Sequence, residues 1–388
     1  MSTNFYQKIK LTYQRLNYFI KVFSTRGNLI KRVTRLRKLA KQMLYLNLYP
    51  SLPVRLQIET TDTCNFKCIM CARENLDGMN TTSMSLQQFS QLIDAIDPYY
   101  VTLNGLGEPL IDKTIFQKLD YLHLKNIFTS MPSNGSLIRG EKLSLLAKSL
   151  PDSLCFSIDG ATKESFENTR KTSDFEKVLE NYKSILNLKI EGKTRKGTKI
   201  HILCALQKNN LFDFKQMYQL VQEFEGIDNF SLVPVFNYGK DSNIEKLVPT
   251  DSEIHTLHKK LEEEIAATED QDEKNFYQSW KRTSSQWLSE DSQATFDPAK
   301  NCHACLVPWF SSYIDAKGKV YPCCYLLTTH HVMGNINEQS FEDIWSGNQY
   351  KTFRQNLTND RCNVEGCRTC PRNDDSTLQT IKQLKLFL

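Results

Sequence analysis

Between residues 54 and 237 short apolar alternating runs and amphipathic stretches take turns, a rhythm that predicts a series of parallel βα units. Six runs read as strands: Val54 to Thr60, Tyr100 to Asn104, Ile127 to Pro132, Ser153 to Asp159, Lys199 to Gln207 and Asn229 to Phe236. The stretches between them carry helical spacing. Ser85 is placed to cap a helix with Leu86, Phe89, Leu92, Ile93 and Ile96 on one face, and Phe175, Val178, Leu179, Tyr182, Ile185 and Leu186 repeat that spacing. Six units fall short of a complete eightfold ring, so the expected fold is α/β, a partial, open (βα)6 barrel over residues 51–240.

In parallel αβ folds ligands collect at the carboxyl ends of the strands. The polar and glycine-rich runs fall there: Cys64 to Cys71 after the first strand, Gly105-Leu106-Gly107-Glu108-Pro109 after the second, Ser133-Asn134-Gly135 after the third, and Asp159-Gly160 closing the fourth. Four loops should therefore meet on one rim. Strand parity also sorts two isolated cysteines. Cys155 shares its side with Ser157 and Asp159 and should face the barrel interior as a packed core residue, whereas Cys204 goes with Ile200, Ile202 and Leu206 toward the helices.

Residues 241–300 hold fourteen Asp or Glu and read as an acidic helical connector, buried through Leu257, Leu261, Ile265, Trp280 and Trp287. Over residues 301–375 the texture changes to short strands and a turn at Asp315-Ala316-Lys317-Gly318. Seven cysteines crowd this stretch: Cys302, Cys305, Cys323, Cys324, Cys362, Cys367 and Cys370. It reads as a second, smaller, metal-dependent domain, and residues 376–388 read as a tail.

The net charge of +5 says little, because the charge is segmental. Residues 1–50 contain eleven Lys or Arg and no Asp or Glu, interleaved with Phe5, Ile9, Tyr13, Leu16, Phe19, Ile20 and Phe23. We read them as a basic helical extension packed on the outside of the barrel, with the acidic connector as an internal partner; peripheral contact with an anionic membrane is the other reading. No nucleic-acid recognition motif accompanies it. No export signal is visible and no run approaches the roughly 20 apolar residues of a membrane span. A cytoplasmic setting is therefore expected, in which twelve cysteines point to metal rather than to disulfides. His330 and His331 read as a surface pair.

The run Thr63-Cys64-Asn65-Phe66-Lys67-Cys68-Ile69-Met70-Cys71 sets three thiols on one tight polar loop, in the spacing C-x3-C-x2-C. Three thiolates can hold three irons of a 4Fe-4S cluster, and with no fourth cysteine close by the last iron stays open for a ligand. Zinc is the rival reading. Structural zinc ordinarily takes four ligands in paired, closed sets, whereas the next Cys or His after this triplet is His123.

On this triplet the chain resembles the radical S-adenosylmethionine (radical SAM) enzymes. The resemblance implies that the unique iron chelates the amino and carboxylate groups of the methionine moiety of S-adenosylmethionine (AdoMet). Met70 stands where the family often has an aromatic residue. Gly107-Glu108-Pro109 resembles the family's Gly-Gly-Glu-Pro motif with Leu106 in place of the first glycine, which implies that Glu108 and its neighbouring backbone hold the methionine amino group. Ser133, Asn134, Ser157 and Asp159 resemble family positions near the ribose. The implied chemistry is reductive cleavage of AdoMet to methionine and a 5′-deoxyadenosyl radical, which takes hydrogen from a substrate carbon, with a flavodoxin- or ferredoxin-type electron donor. A non-catalytic iron-sulfur carrier or a zinc-binding scaffold would need no AdoMet.

Farther on, Cys305-x17-Cys323 followed by a distant Cys367-x2-Cys370 resembles the SPASM domain of this family in its shortened, twitch form. So do Met333-Gly334-Asn335-Ile336 and Phe341-Glu342-Asp343-Ile344-Trp345. The resemblance implies that Cys305, Cys323, Cys367 and Cys370 ligate one auxiliary 4Fe-4S cluster, leaving Cys302, Cys324 and Cys362 spare. Such a cluster can take an electron from a substrate radical, which suits oxidation. Epimerisation instead needs a hydrogen donor, and Cys324, beside an expected ligand, is the catalytic candidate. No winged-helix peptide-binding extension is evident in the 50 residues before the barrel. Oxidation or epimerisation of a small molecule, sugar-like or a cyclitol, is therefore expected ahead of maturation of a ribosomally made peptide.

Overall fold

Leu56 and Ile58 alternate with Arg55 and Gln57 in the first strand, β1 (Arg55–Ile58), and the pleat sends the apolar pair into the core and the polar pair to the opposite face. The computed structural model in which this is seen describes residues 33, 34, 37, 47–76, 81–172, 174–235, 242–288, 305–327, 329–367 and 370. After β1 come β2 (Tyr100–Leu103), β3 (Phe128–Ser133), β4 (Ser153–Ser157), β5 (Lys199–Leu206) and β6 (Asn229–Pro234), each parallel to its predecessor. These are the six strands of the expected open barrel. β1 and β4 stop short of the apolar pattern where Glu59 and Asp159 turn their carboxylates to loop and neighbouring-strand amides, and β2, β5 and β6 also end a residue or two early.

On the other edge of β1 the sheet continues. β7 (Ser311–Ile314) adds in parallel with Arg55 opposite Ser311 and Gln57 opposite Tyr313, and β8 (Lys319–Tyr321) and β9 (Gly334–Asn335) follow antiparallel. The result is one nine-stranded sheet in the order β6-β5-β4-β3-β2-β1-β7-β8-β9. The cysteine-rich region thus joins the barrel through a backbone ladder on β1.

Helices α1 (Leu86–Ile96), α2 (Ile115–Leu124), α3 (Gly140–Lys148), α4 (Lys163–Arg170), α5 (Phe175–Ile190) and α6 (Phe214–Gln222) return the chain between strands. Ser85 starts α1 with a capping box, its hydroxyl accepting from Gln88 N while Gln88 Oε1 accepts from Ser85 N. That cap aims Phe89, Leu92, Ile93 and Ile96 into the core, each contributing roughly 2 kcal/mol by burial. The acidic connector forms α7 (Asp251–Ala267) and α8 (Gln271–Ser284), which bury Ile254, Leu257, Leu261, Tyr277 and Trp280. Trp280 Nε1 donates to Leu211 O at 3.0 Å and Trp287 Nε1 to Val235 O at 2.9 Å, fastening this pair to the barrel beside β6.

Two short helices close the C-terminal region, α9 (Phe341–Ser346) and α10 (Asn348–Asp360). Trp309, Trp345 and Arg354 donate to carbonyls of Asn47, Pro50, Ser51 and Leu48, so the segment entering the barrel is strapped to the C-terminal region. Cys204 lies in the apolar core, as its parity predicts. Cys155 is buried on the other side of its strand, where burial pushes its thiol up to about 12. His330 is exposed; His331 bonds Glu365 O and packs its ring edge on Phe353. Most of the basic segment 1–50, Cys302, residues 289–304 and the tail 376–388 lie outside the described residues. Among the described residues no helix is long and apolar enough to cross a membrane.

Candidate active site

The loops after β1, β2 and β3 are tied to one another by side chains that the sequence places apart. Glu108, at the N-cap of the short turn opened by Pro109, is 3% exposed. Its Oε1 accepts from Leu110 N and from Ser133 Oγ at 2.9 Å, and its Oε2 accepts from Asn134 N at 2.8 Å. Asn134 Nδ2 in turn donates to Asn65 Oδ1 at 3.0 Å, inside the cysteine loop, and Asn65 Nδ2 donates to Ser136 Oγ. Glu108 N closes the set on Thr63 O at 2.9 Å. Glycine is required at Gly107, where a Cβ would lie 2.0 Å from Thr61 O. Four of the expected cofactor-binding positions, Gly107, Glu108, Ser133 and Asn134, therefore form one connected wall behind Cys64.

Tyr182 of α5 braces that wall from outside the barrel. Its hydroxyl donates to Ser133 O at 2.8 Å and accepts from Ser157 N at 3.2 Å, and its ring stacks on Phe156 with centroids 3.8 Å apart. Gly135, in the left-handed region at φ 77°, leaves room for it; a Cβ there would meet the Tyr182 ring at 2.4 Å. Ser157 is thus at the rim with Ser133, as expected. Asp159 is also at the rim, but its carboxylate is taken up by Ala205 N at 2.7 Å and by an ion pair with Arg170.

Arg170, the last residue of α4, points its other nitrogen at the cysteine loop, with Nη1 3.9 Å from Cys68 Sγ. The loop itself is held by Cys71 N on Cys68 O, by Ile69 N on Thr169 O and by Phe66 N on Cys64 Sγ at 3.5 Å. Burial pushes the Cys71 thiol up to about 11 and raises Cys64 and Cys68, with Arg170 opposing the rise at Cys68. Such thiols keep their protons until a metal displaces them, so loading releases protons. Three partly buried thiols on a polar loop, with a guanidinium beside one sulfur, suit an anionic iron-sulfur cluster. On the concave side of β2, Thr102 Oγ1 and Asn104 Oδ1 are buried with no hydrogen-bond partner among the described residues, as expected of a wall that a polar ligand completes.

Glu59 sits where β1 leaves the sheet, between the two halves of the molecule. Oε1 accepts from Leu106 N at 2.6 Å in the loop after β2, and Oε2 accepts from Ala316 N at 3.2 Å in the turn after β7. Burial pushes its carboxyl up to about 7 against the pull of those two amides.

A second cavity opens against β1 and β7. Its wall includes Cys305, Cys323, Cys324, Cys367 and Cys370 together with Arg55, Gln57, Tyr313 and Arg361. The four expected auxiliary ligands therefore converge, and Cys324 is a fifth thiol on the same wall. Burial, then the charges of Cys324, Cys305, Cys367 and Cys370, drive the Cys323 thiol well up. Four cysteines around one cavity make a ligand set that suits a 4Fe-4S cluster. Cys362, expected to be spare, is disulfide-bonded.

Arg170, Glu59 and Tyr182 were not visible as site residues in the sequence. Nothing local marks Arg170, since a cation closing a helix is ordinary. Glu59 does leave a signal, a carboxylate on the polar side of β1 in parity with Arg55 and Gln57. Tyr182 reads only as one more residue on the apolar face of α5.

The comparisons with known proteins fall on these same elements. A family model described as the Radical SAM superfamily matches residues 58–221, from the end of β1 into α6. A second, SPASM, described as an iron-sulfur cluster-binding domain, matches residues 276–371, from α8 through the cysteine cavity. The AdoMet-dependent heme synthase of Methanosarcina barkeri is 24% identical over 295 residues, 74% of this chain and 80% of that protein. Mycofactocin maturase MftC of Mycobacterium tuberculosis is 22% identical over 334 residues, 81% of this chain and 77% of that protein. Among solved structures, Streptococcus suis SuiB bound to precursor peptide SuiA matches with a TM-score of 0.60 at 18% identity, over 91% of this chain and 76% of that one.

Proposed function

We propose, for a chain that belongs to the radical SAM superfamily and carries a SPASM iron-sulfur domain, that it oxidises a carbon of a peptide substrate. The observation that carries the site is the network joining Glu108, Ser133, Asn134 and Asn65 behind Cys64, Cys68 and Cys71. A 4Fe-4S cluster with AdoMet bound supplies the one-electron cleavage and the radical that takes hydrogen from the substrate.

The protein's own residues hold and orient. Cys64, Cys68 and Cys71 hold the cluster. Glu108, fixed by Ser133, Asn134 and Leu110, would hold the methionine amino group together with its neighbouring backbone, and Ser157, at the rim, would lie toward the ribose. Asp159 acts at one remove, by orienting Arg170 toward Cys68. Cys305, Cys323, Cys367 and Cys370 would hold the auxiliary cluster in the cavity against β1 and β7, where it would supply a one-electron acceptor. Cys324, a further thiol on the same wall, would return hydrogen in an epimerisation, the second reaction type weighed.

A peptide is preferred over a sugar-like or cyclitol substrate because the names of two relatives, a mycofactocin maturase and SuiB with its precursor peptide, speak for it. A flavodoxin- or ferredoxin-type protein is the proposed electron donor. The test is anaerobic: reconstituted enzyme, reductant and AdoMet should give 5′-deoxyadenosine, and a co-expressed short peptide should lose two hydrogens by mass spectrometry. Absence of 5′-deoxyadenosine would remove the enzyme reading; turnover of a sugar with the peptide unchanged would remove the peptide.

A further inference from the structure

Four side chains of α2 are buried at helical spacing, Ile115, Lys118, Leu119 and Leu122, and the lysine among them has none of its surface exposed. Its ammonium stands 5.7 Å from the centroid of the Phe89 ring of α1. It donates to two acceptors, Asp112 Oδ2 at 2.6 Å and the carbonyl of Met84. Each acceptor ends a segment that leads to the candidate site. Asp112 closes the turn that begins at Glu108: Ile111 N donates to Glu108 O, Asp112 N to Pro109 O, and Leu110 N to Glu108 Oε1. Met84 ends a short run laid against the stem of the cysteine loop, with Met84 N on Thr60 O at 2.9 Å, Asp62 N on Thr82 O at 3.0 Å and Thr82 N on Asp62 Oδ1 at 2.8 Å. Arg73 Nε, beyond Cys71, donates to Asp62 O at 2.9 Å, so the same stem also holds the far end of that loop. One ammonium therefore ties the root of the cysteine loop to the end of the Glu108 turn. A second lysine holds the turn from α3, where Lys142 Nζ donates to Leu110 O at 2.6 Å.

Packing alone does not call for a charge on this stripe. A buried ion pair is often no more stabilising than apolar side chains of the same volume, because desolvation of both charges offsets their attraction. Methionine would fill the place of Lys118 with a similar unbranched chain. What it could not do is donate to Met84 O and Asp112 together. The direct bond between the two segments, Glu108 N on Thr63 O, would then lose its support from behind.

We propose that Lys118, assisted by Lys142, is a positioning residue for AdoMet: the two lysines fix the spacing between the Glu108 turn and the cysteine loop on which AdoMet affinity depends. They act through the backbone of residues 108–112 and 82–84. The proposal rests on the reading that AdoMet binds between Glu108 and the cluster held by Cys64, Cys68 and Cys71.

The test uses the full chain, reconstituted anaerobically with iron and sulfide, and measures AdoMet binding by equilibrium dialysis beside iron content and the urea midpoint. Lys118→Met strands the buried Asp112 carboxylate and should lower the midpoint, and Lys118→Met/Asp112→Asn should recover most of it. Both should nevertheless bind AdoMet about tenfold more weakly than the parent with iron per chain unchanged, and Lys142→Met should weaken binding in the same direction. EPR of the reduced protein gives a second readout. The AdoMet concentration that shifts its signal should rise by the same factor, while the signal without AdoMet stays that of the parent. A role in folding alone would move the midpoint and leave both AdoMet readouts in place. Parent-like AdoMet affinity in the double variant would therefore overturn the proposal. Should the double variant fail to hold its iron, Lys142→Met decides, since Lys142 is half-buried and its loss strands no carboxylate: binding like the parent's there overturns the proposal. Glu108→Gln tells the proposal from the reading beneath it. Weakened binding in that variant with parent-like binding in the lysine variants would leave the reading standing without the proposal, and a parent that binds no AdoMet would overturn both.

Discussion

Arg170 holds Cys68 and Asp159 together: one nitrogen lies 3.9 Å from the Cys68 sulfur and another is paired with the buried Asp159 carboxylate. The guanidinium thus couples the end of β4 to the loop that grips the first cluster. Removing it strands Asp159, and an uncompensated buried carboxylate costs about 3–5 kcal/mol. Arg170→Gln should therefore lower the urea midpoint sharply, while the double variant Arg170→Gln/Asp159→Asn recovers most of it. Both should cleave AdoMet at least tenfold more slowly, since neither offers a cation to the cluster loop. Equal stability of the single and double variants would show that the pair is not what holds this corner.

The two cysteine sets make separable demands on iron. Cys68→Ala should remove about four irons per chain and all 5′-deoxyadenosine formation, whereas Cys323→Ala should remove a similar number and leave AdoMet cleavage in place. Cys324→Ala should keep the full iron content, because Cys324 lines the auxiliary cavity without being needed to complete its four ligands. Iron analysis beside product assay checks all three. Loss of iron in Cys324→Ala would exchange it with its neighbour as ligand.

Much of this was readable from residue order. The six parallel strands, the α1 cap at Ser85 and the convergence of four loops follow from periodicity and from where polar runs fall. What periodicity could not supply is contact between elements far apart in sequence. The bonds from Glu108 to Ser133 and from Asn134 to Asn65 depend on register across three loops, and Arg170 reaches Cys68 over 102 positions. The join of β7 to β1 was equally hidden, because an extended Ser311–Ile314 states that it needs a partner and not which one. Asp159 shows the same limit: its place at the rim is a matter of strand parity, but its commitment to Arg170 is visible only in three dimensions.

Tyr182 offers the cleanest test of rim geometry, since Tyr182→Phe keeps the stack on Phe156 and deletes only the hydroxyl that bridges Ser133 O and Ser157 N. Leaving those two groups without their shared partner should cost about 1–3 kcal/mol. The loss falls on the loops that face AdoMet, so its dissociation constant, measured by equilibrium dialysis on the reconstituted enzyme, should rise roughly tenfold with iron content unchanged. A variant that binds AdoMet like the parent would mean that the two strand ends are fixed by other contacts.

Glu59 should leave a signature in the pH dependence of stability. Its carboxyl is pushed from an ordinary 4.5 to about 7, chiefly by burial. Because the folded-state value is the higher one, the folded protein binds the proton more tightly than the unfolded chain. Its contribution is therefore fully present below about 4.5, falls as pH rises, and is gone above about 7, a span on the order of 3 kcal/mol. Glu59→Gln cannot ionise, so its urea midpoint should change less than the parent's between pH 5.5 and 8. Comparing the two proteins at each pH cancels the response of the clusters and of the other carboxylates. The same variant presents an NH2 group to one of the two amides, Leu106 N or Ala316 N, that the carboxylate now accepts from, so it should be the less stable of the pair at pH 5.5 and the gap should narrow toward pH 8. Parallel pH profiles would mean that Glu59 ionises freely in the fold, through water reaching the seam between the loop after β2 and the turn after β7.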